Sequence, residues 1–169
     1  MPEISASAAP LKPTLPHLRH TLGHFPTGVT VVTTIDDGKP VGVCANSFVS
    51  VSLEPPLVGV FLKNTSRTLS SLRRSGSLVI NILADRQEHI ARAFAAPDGD
   101  RFANVDWRVS SLSGAPVLDG VCAWLDCRTD RMIMYGDHYL MLGCVVDSGF
   151  NTDSMPLLFH RSRYVNISG

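Results

Sequence analysis

The strongest constraint on the fold is a pair of β-branched segments joined by a short turn. VTVVTTI (29–35) and PVGVCANSFVSVS (40–52) have the composition of strands, and Asp36-Asp37-Gly38-Lys39 separates them. Gly38 can adopt the positive φ that a tight hairpin turn requires. The sequence therefore predicts an antiparallel pair whose second strand is long enough to bend.

Five further segments have a strand-like composition. They are LVGVFLK (57–63), LVINIL (78–83), VCAWLDCRTDRMIMY (121–135), HYLMLGCVVDSG (138–149) and LLFHRSRYVNI (157–167). Because the strands adjoin by turns rather than by regular helical crossovers, a doubly wound parallel sheet is disfavoured. We predict a mainly β (α+β) chain, an antiparallel barrel of about seven strands with helices packed outside.

Three short flanking helices are predicted. The first follows Thr14 as N-cap and has apolar residues at helical spacing. The second is capped by Ser66 and stops at Gly76. In the third, Asp85 and Glu88 form a pair resembling a capping box. Between the helices and the late strands, residues 97–120 are expected to be mostly loop; residues 1–13 are predicted to be a flexible tail and 14–169 the single domain.

Composition excludes several classes of function. Fifteen basic residues balance fifteen acidic ones, so neither a nucleic-acid binder nor a polybasic membrane-surface protein is expected. There is no apolar run of the ~18 residues that a membrane span needs, and no secretory signal is recognised. Hydrophobic residues make up 44% and charged ones 18%, which favours burial in an oligomer or over a cofactor. The four cysteines form no C-x-x-C pair, so we expect reduced thiols in a cytoplasmic protein.

The usual catalytic motifs are absent. No glycine-rich phosphate fingerprint, zinc-protease helix or nucleophile elbow occurs in the sequence. His17, His20 and His24 have helical spacing, but no carboxylate or thiolate accompanies them, so a polar helix face is favoured over a metal site. A hydrolase or a metalloenzyme is therefore poorly supported.

Several segments in a fixed order carry a resemblance to a known family. They are FPTGVTVVTT (25–34), VGVCANSFVSVSLEPPLVGVFL (41–62), NTSRTLSSLRRSGSLVINIL (64–83), DRF (100–102), GDH (136–138) and LLFHRSRY (157–164). Together they resemble the flavin reductase family, which is built on the FMN-binding split barrel. The resemblance covers about residues 15 to 167 and implies an antiparallel split β-barrel that forms a homodimer.

The resemblance also implies an activity. Members are NAD(P)H:flavin oxidoreductases that transfer hydride from NADH or NADPH to FMN or FAD and supply reduced flavin to a partner monooxygenase. The sequence does not distinguish FMN from FAD or NADH from NADPH. The alternatives are a non-catalytic flavin-binding split-barrel protein, an interaction domain, and a pyridoxamine-phosphate-oxidase-like enzyme, which the presence of only three lysines disfavours.

The resemblance implies that the segment between the third strand and the second helix contacts the phosphate or the ribityl chain of the flavin. A helix N-terminus presents unpaired N–H groups and a partial positive charge, and Lys63 and Arg67 add cations. The alternative is that Ser66 only caps the helix and Arg67 is a solvated charge. The cofactor contacts predicted here are Leu62, Lys63, Asn64, Ser66, Arg67 and Thr68.

Polar residues inside the bent second strand are predicted to line the isoalloxazine ring. Asn46 can donate and accept hydrogen bonds, as the pyrimidine edge of a flavin requires. The alternative is that Asn46 and Ser47 pair with neighbouring strands across a bulge. Cys44 is either a contact of the flavin or a core thiol. The cofactor contacts predicted here are Asn46, Ser47, Phe48, Val49 and Ser52.

Gly136-Asp137-His138 lies where one long strand turns into the next. The resemblance implies that His138 is catalytic, contacting the nicotinamide or the flavin edge, with Gly136 and Asp137 among the cofactor-binding residues. The alternative is that Asp137 is a turn residue and His138 a partly exposed strand residue.

The remaining predicted contacts come from three separate places in the chain. The resemblance places Thr27 near the flavin. Arg101 and Phe102 either stack over an open ring face or only anchor their loop. The resemblance also implies that Tyr164, with its neighbours His160, Arg161 and Arg163, lies either near the flavin or at the dimer seam.

Overall fold

The computed structural model describes residues 14–167, so the tail predicted over 1–13 lies outside the described residues. The α-helices are α1 (Leu15–Leu22), α2 (Arg67–Ser75) and α3 (Glu88–Ala95). The strands are β1 (Thr27–Gly28), β2 (Thr30–Asp36), β3 (Lys39–Ala45), β4 (Val49–Leu53), β5 (Pro56–Lys63), β6 (Ser77–Ile82), β7 (Trp107–Val109), β8 (Pro116–Leu118), β9 (Ala123–Tyr135), β10 (His138–Phe150), β11 (Leu158–His160) and β12 (Arg163–Val165).

Seven of these strands form one antiparallel sheet. Its order is β3-β2-β6-β9-β10-β5-β4, and every neighbouring pair in it is antiparallel. The turn between β2 and β3 has positive φ at both Asp37 and Gly38, as a two-residue hairpin loop needs. The predicted mainly β, antiparallel architecture with three short helices is therefore confirmed.

The boundaries of the shorter strands differ from the prediction. The predicted strand 40–52 is two strands, β3 and β4, which are separated at Asn46–Phe48. The predicted strand 157–167 is the β11–β12 hairpin, which joins β1 in a small sheet, and the predicted loop 97–120 contains the β7–β8 hairpin. Strands of two or three residues are too short to show a hydrophobic period, so the pattern of the sequence did not reveal them.

The predicted cap residues are in place at α1 and α2, although the Ser66 side chain makes no capping hydrogen bond, and the third helix differs. Thr14 caps α1 through a hydrogen bond accepted from the His17 N–H, and Gly76 ends α2 in the left-handed region. The predicted pair of Asp85 and Glu88 was wrong. The Gln87 side chain instead accepts a hydrogen bond from the N–H of Ala84 and donates one to the Asp119 carbonyl, so it joins the start of α3 to the chain before β9.

Hydrophobic cores pack on both sides of the wall formed by β2 and β6, and a third, smaller one contains Val79 of β6 with Ala115 and Val117. The first, inside the barrel, includes Val32 and Ile80 together with Leu69 and Leu72 of α2, so this helix closes one end of the barrel. The second core lies beneath α3 and contains Phe94, which is fully buried. Both helices are therefore held by the buried face of an amphipathic pattern.

The barrel has a seam between β3 and β5. Strand β4 pairs with β5 only as far as Gly59, so the end of β5 lacks a ladder partner on that side. There the Ser47 hydroxyl donates to the Phe61 carbonyl at 2.8 Å and accepts from the Phe61 N–H at 2.9 Å. One side chain thus provides both hydrogen bonds that a neighbouring strand would otherwise supply.

Helix α1 packs little of its surface against the rest of the chain. None of its residues is buried, and Leu15 and Leu22 are 69% and 64% exposed. Within residues 14–167, no helix has the length and apolar character required to cross a bilayer.

Candidate functional site

The seam opens into a cleft of about 320 Å³, which we call the main cleft. One wall is the end of β3 with the residues that follow it, and the other is the end of β5 with the first turn of the chain beyond it. Its lining residues are Val43, Cys44, Ala45, Asn46, Ser47, Phe61, Leu62, Lys63, Thr65, Ser66 and His138. At a seam, some backbone N–H and C=O groups have no neighbouring strand to pair with. These groups can donate hydrogen bonds to a ligand or accept them from it.

A second cleft, of about 210 Å³, adjoins the first. We call it the aromatic cleft because Phe159 and Tyr164 line it, together with Val29, Ala95 and the residues that it shares with the main cleft. The shared residues are Cys44, Ala45 and Asn46. The two clefts therefore form one groove, with a lysine and several hydroxyl side chains at the main cleft and two aromatic rings at the other end.

The turn from β5 into α2, residues 63–68, forms the polar end of the groove and is called the phosphate segment below. The Ser66 N–H donates to the Lys63 carbonyl at 2.9 Å, which closes a tight turn before the helix. Ser66 is the N-cap residue of α2, but its side chain makes no capping hydrogen bond. The Ser66 hydroxyl and the first amides of α2 are therefore free of a side-chain cap at the cleft.

Two residues of the phosphate segment are directed elsewhere. The Arg67 guanidinium donates to the Asp98 carboxylate at 2.9 Å and to the Pro97 carbonyl at 2.7 Å. Thr68 is buried and donates to the Gly42 carbonyl. Lys63 and Ser66 line the cleft, whereas Arg67 and Thr68 do not, and Asn64 uses its N–H to bind the Asp137 carbonyl.

His138 faces the main cleft from the start of β10. It is the register partner of Lys63 on β5, which puts the two side chains on the same side of the sheet. Its Nδ1 is 2.8 Å from the Asp137 carboxylate, and its side chain is 34% exposed. The hydrogen bond with His138, followed by its charge, lowers the pKa of Asp137 below its usual value. Gly136 has positive φ and makes the preceding turn possible.

The polar residues after β3 divide into two groups. Asn46 is exposed and lines both clefts. The Ser47 hydroxyl instead hydrogen-bonds the backbone of Phe61 across the seam, in line with the alternative that Ser47 pairs with a neighbouring strand. Phe48 packs against the barrel core. Val49 and Ser52 lie on β4, outside the lining of either cleft, and the Ser52 hydroxyl accepts a hydrogen bond from the Glu54 N–H.

Thr27 and Tyr164 belong to the small sheet beside the aromatic cleft. Thr27 pairs with Phe159, and Phe159 pairs with Tyr164, so the three side chains share one face. The Thr27 hydroxyl is buried and has no hydrogen-bond partner among residues 14–167. The Arg92 guanidinium lies 5.1 Å from the centre of the Tyr164 ring, and burial is the main cause of the raised pKa of Tyr164.

Arg101 and Phe102 serve the loop that contains them. Arg101 donates to the Gly42 carbonyl at 2.6 Å and to the Ala96 carbonyl at 2.8 Å. The Phe102 ring makes an edge contact with Phe94 at 4.9 Å between centroids and packs on the second core. Neither residue lines the groove, which matches the alternative that they anchor their loop.

Several residues of the groove were not among the predicted contacts. Thr65 adds a residue with a hydroxyl to the phosphate segment, and Phe159 adds a ring to the aromatic cleft. Cys44 lies where the clefts meet, and burial raises the pKa of its thiol to about 11, so it behaves as a neutral wall residue at pH 7. Thr65 was adjacent to predicted contacts, but nothing local in the sequence distinguishes Phe159 from a core residue. In the described part of the chain, no three His, Cys, Asp or Glu side chains are grouped to hold a metal.

Comparison with known proteins gives a consistent set of matches. Residues 22–168 match the family model described as a flavin reductase like domain. The reductase subunit of a flavin-dependent monooxygenase from Rhodococcus jostii is 43% identical over 149 residues, which are 88% of this chain and 76% of the relative. An NADH:FMN oxidoreductase from Rhodococcus qingshengii is 41% identical over 151 residues, 86% of this chain and 78% of the relative.

A solved structure extends the likeness to three dimensions. The NADH:FAD oxidoreductase of Streptomyces globisporus, solved in complex with NAD and FAD fragments, has a TM-score of 0.88 and 36% sequence identity. The alignment covers 95% of this chain and 98% of that chain. The likeness therefore includes the β1–β11–β12 sheet and the helices as well as the barrel.

Proposed function

The chain belongs to the flavin reductase-like family, and on that premise we propose that it is an NAD(P)H:flavin oxidoreductase. The observation that carries the proposal is the continuous groove at the barrel seam. One end has Lys63, Thr65 and Ser66 at a helix N-terminus, and the other is bounded by two aromatic rings. A phosphorylated flavin likewise has an anionic phosphate at one end and a flat aromatic ring system at the other, so the two ends of the groove match the two ends of the ligand.

The side chains at the polar end fit the phosphate of a flavin. Ser66 and the first amides of α2 lack a side-chain cap, and Lys63 makes no ion pair within 4.0 Å among the described residues. A phosphate can accept hydrogen bonds from all of these donors, and the helix N-terminus adds a favourable partial charge. We assign the phosphate to Lys63, Thr65 and Ser66.

The ring system fits along the residues that both clefts share. Cys44, Ala45 and Asn46 supply a stretch of backbone and one amide side chain, and Thr27 lies beside Phe159 on the small sheet, outside the lining of both clefts. When bound, the flavin supplies the redox chemistry by accepting a hydride from the reduced nicotinamide. The protein's part is to hold the two rings in contact and to keep water from the reacting faces. His138 is the proposed catalytic residue, hydrogen-bonding at the reacting edge.

The proposal extends to the partners of the chain. The Rhodococcus jostii relative is a monooxygenase subunit, and we propose that this chain likewise passes reduced flavin to a monooxygenase in the cytoplasm. We also propose a homodimer, since β4 exposes Val49, Val51 and Leu53 and an apolar edge strand left uncovered favours aggregation. The relatives named above use FMN in one case and FAD in the other, so the flavin used here is determined by the assay below.

The test is the absorbance at 340 nm, which follows oxidation of NADH and then of NADPH by the purified protein with FMN, FAD or no added flavin. We expect oxidation that depends on added flavin and saturates with it. The preferred pair of cofactors is the one with the highest kcat/KM. No oxidation in any combination would reject the reductase and leave the second candidate, a flavin-binding barrel without catalysis, provided that flavin still binds.

A further inference from the structure

Asp98 forms an ion pair with an arginine that adjoins the proposed phosphate site. Arg67 follows Ser66 directly, and Ser66 lines the main cleft. The Arg67 guanidinium does not line that cleft and is instead 2.9 Å from the Asp98 carboxylate and 2.7 Å from the Pro97 carbonyl. A cation adjacent to an anion site is thus held away from it by an acid of the same chain.

The loop that contains Asp98 is fixed at both ends. Arg101 binds the Ala96 carbonyl and the Gly42 carbonyl on β3, so the short segment between residues 96 and 101 is closed by one side chain. This anchoring places Asp98 opposite the first turn of α2. The backbone of the fold therefore brings Arg67 and Asp98 together, and their ion pair does not depend on side-chain flexibility alone.

The pair is placed where a ligand can break it. The side chains of Arg67 and Asp98 are 75% and 81% exposed, and ion pairs at such exposure contribute little stability. A phosphate carries more charge than a carboxylate, and its geometry matches the guanidinium fork. A phosphate seated at Lys63 and Ser66 therefore competes with Asp98 for Arg67.

We propose that Asp98 is a specificity-determining residue that limits the affinity of this chain for phosphorylated flavins by competing with the flavin phosphate for Arg67. The inference rests on the proposed function, because it takes the phosphate segment as the place where the flavin phosphate binds. Riboflavin has the same ring but no phosphate, so Asp98 leaves its affinity unchanged. Weak retention of phosphorylated flavin suits a protein that releases it to a partner.

The experiment compares the dissociation constants of FMN and riboflavin, measured by quenching of flavin fluorescence. Asp98→Ala frees Arg67, and we expect the Kd of FMN to fall about two- to fivefold, the range expected for an exposed ion pair, with the Kd of riboflavin unchanged. In an Arg67→Ala background, Asp98→Ala should have no effect on either ligand. Higher ionic strength should reduce the gain for FMN, because exposed charges are screened.

Asp130→Ala is the matched control. Asp130 is also an exposed aspartate beside an arginine, Arg131, but it lies on β9, none of whose residues lines the groove. An unchanged Kd of FMN in Asp98→Ala, an equal gain for riboflavin, or the same gain in Asp130→Ala or without Arg67 would overturn the inference. If the unmodified chain binds neither flavin, it is the proposed function that fails.

Discussion

His138 is positioned by two features of the β5–β10 pair. The register sets its side chain beside that of Lys63, and the neighbouring Asp137 carboxylate accepts the hydrogen bond from Nδ1. An imidazole held in this way has Nε2 left for a ligand in the main cleft. It can hydrogen-bond there to a carboxamide or to the edge of a negatively charged ring.

Replacement of His138 by alanine should separate reduction from binding. We expect His138→Ala to lower the rate of NAD(P)H-dependent flavin reduction about ten- to a hundredfold, because a hydrogen bond to a charged group contributes roughly 1.5–3 kcal/mol. The Kd of the flavin should change much less, since the phosphate segment remains intact. Stopped-flow reduction and flavin fluorescence titration measure the two quantities.

His89→Ala serves as the control, because His89 is exposed on α3 and lines neither cleft of the groove. It should leave both the rate and the Kd unchanged. A His138→Ala protein with unaltered reduction kinetics would exclude His138 from the reaction.

The sequence predicted which side-chain types the groove needs but not where each is directed. Lys63, Ser66 and His138 line the groove as the predicted roles require. Arg67 and Arg101 do not, because each binds an acceptor that is distant in sequence, 31 residues away at Asp98 and 59 at Gly42. Such pairings depend on how loops pack in three dimensions, which no local pattern encodes.

At the scale of the element, the seam depends on a serine. Ser47 satisfies both backbone groups of Phe61 where β4 has turned away from β5. The two strands that border the main cleft are thus joined by a side chain in place of a ladder. This arrangement leaves the rest of the end of β5 open to a ligand.

Ser47→Ala should destabilise the protein and loosen the cleft. We expect a loss of about 1–2 kcal/mol in the free energy of unfolding, since two hydrogen bonds are removed at a solvent-accessible position. Flavin affinity should fall as well, because the walls of the cleft are no longer held together. Urea unfolding and flavin titration test the two effects.

Ser50→Ala is the comparison for this variant. Ser50 is exposed on β4, and its hydroxyl makes no hydrogen bond to another described residue, so the change should affect stability by less than about 0.5 kcal/mol. Equal stability of both variants and the unmodified chain would show that the Ser47 bridge is not needed.

The long elements were predictable and the short ones were not. The strands β9 and β10 have 13 residues each, so the pattern of apolar and β-branched residues defines them clearly. A bend in the second strand was predicted but the break at Asn46–Phe48 was not, because the hydrogen bonds of Ser47 to Phe61 join residues 14 apart in the chain. The role of Gln87 at the start of α3 was missed for a similar reason. One of its hydrogen-bond partners, Asp119, lies 32 residues away in the chain.

At the scale of the whole molecule, the distribution of apolar surface favours a second copy as partner. Val49, Val51 and Leu53 of β4 are 46%, 49% and 89% exposed. Gly59 beneath them has no side chain, which lets Val49 and Val51 lie against the same part of the sheet. The low charged fraction predicted burial in an oligomer or over a cofactor, and we propose β4 as the surface that an oligomer would bury.

Lysines on β4 should disrupt the proposed homodimer. We expect Val51→Lys combined with Leu53→Lys to shift the sedimentation of the protein from dimer to monomer, because burying two ammonium groups in an apolar interface is unfavourable. Val109→Lys is the control, since Val109 is 60% exposed on β7, away from this edge. A chain that is monomeric without any substitution, or a dimer that tolerates both lysines, would contradict the proposed homodimer.

The buried wall of β2 and β6 has a consequence for how the chain can change over evolutionary time. The first five residues of β2 and the four central residues of β6 are buried, because other parts of the chain pack against both faces of the wall. A strand that is buried on both faces has no position where substitutions are tolerated freely. Most of β4 is exposed, so substitutions are tolerated there more easily. Sequence drift among homologous proteins should therefore spare β2 and β6 and concentrate at the barrel edge, so that this exposed edge diversifies around an interior that stays the same.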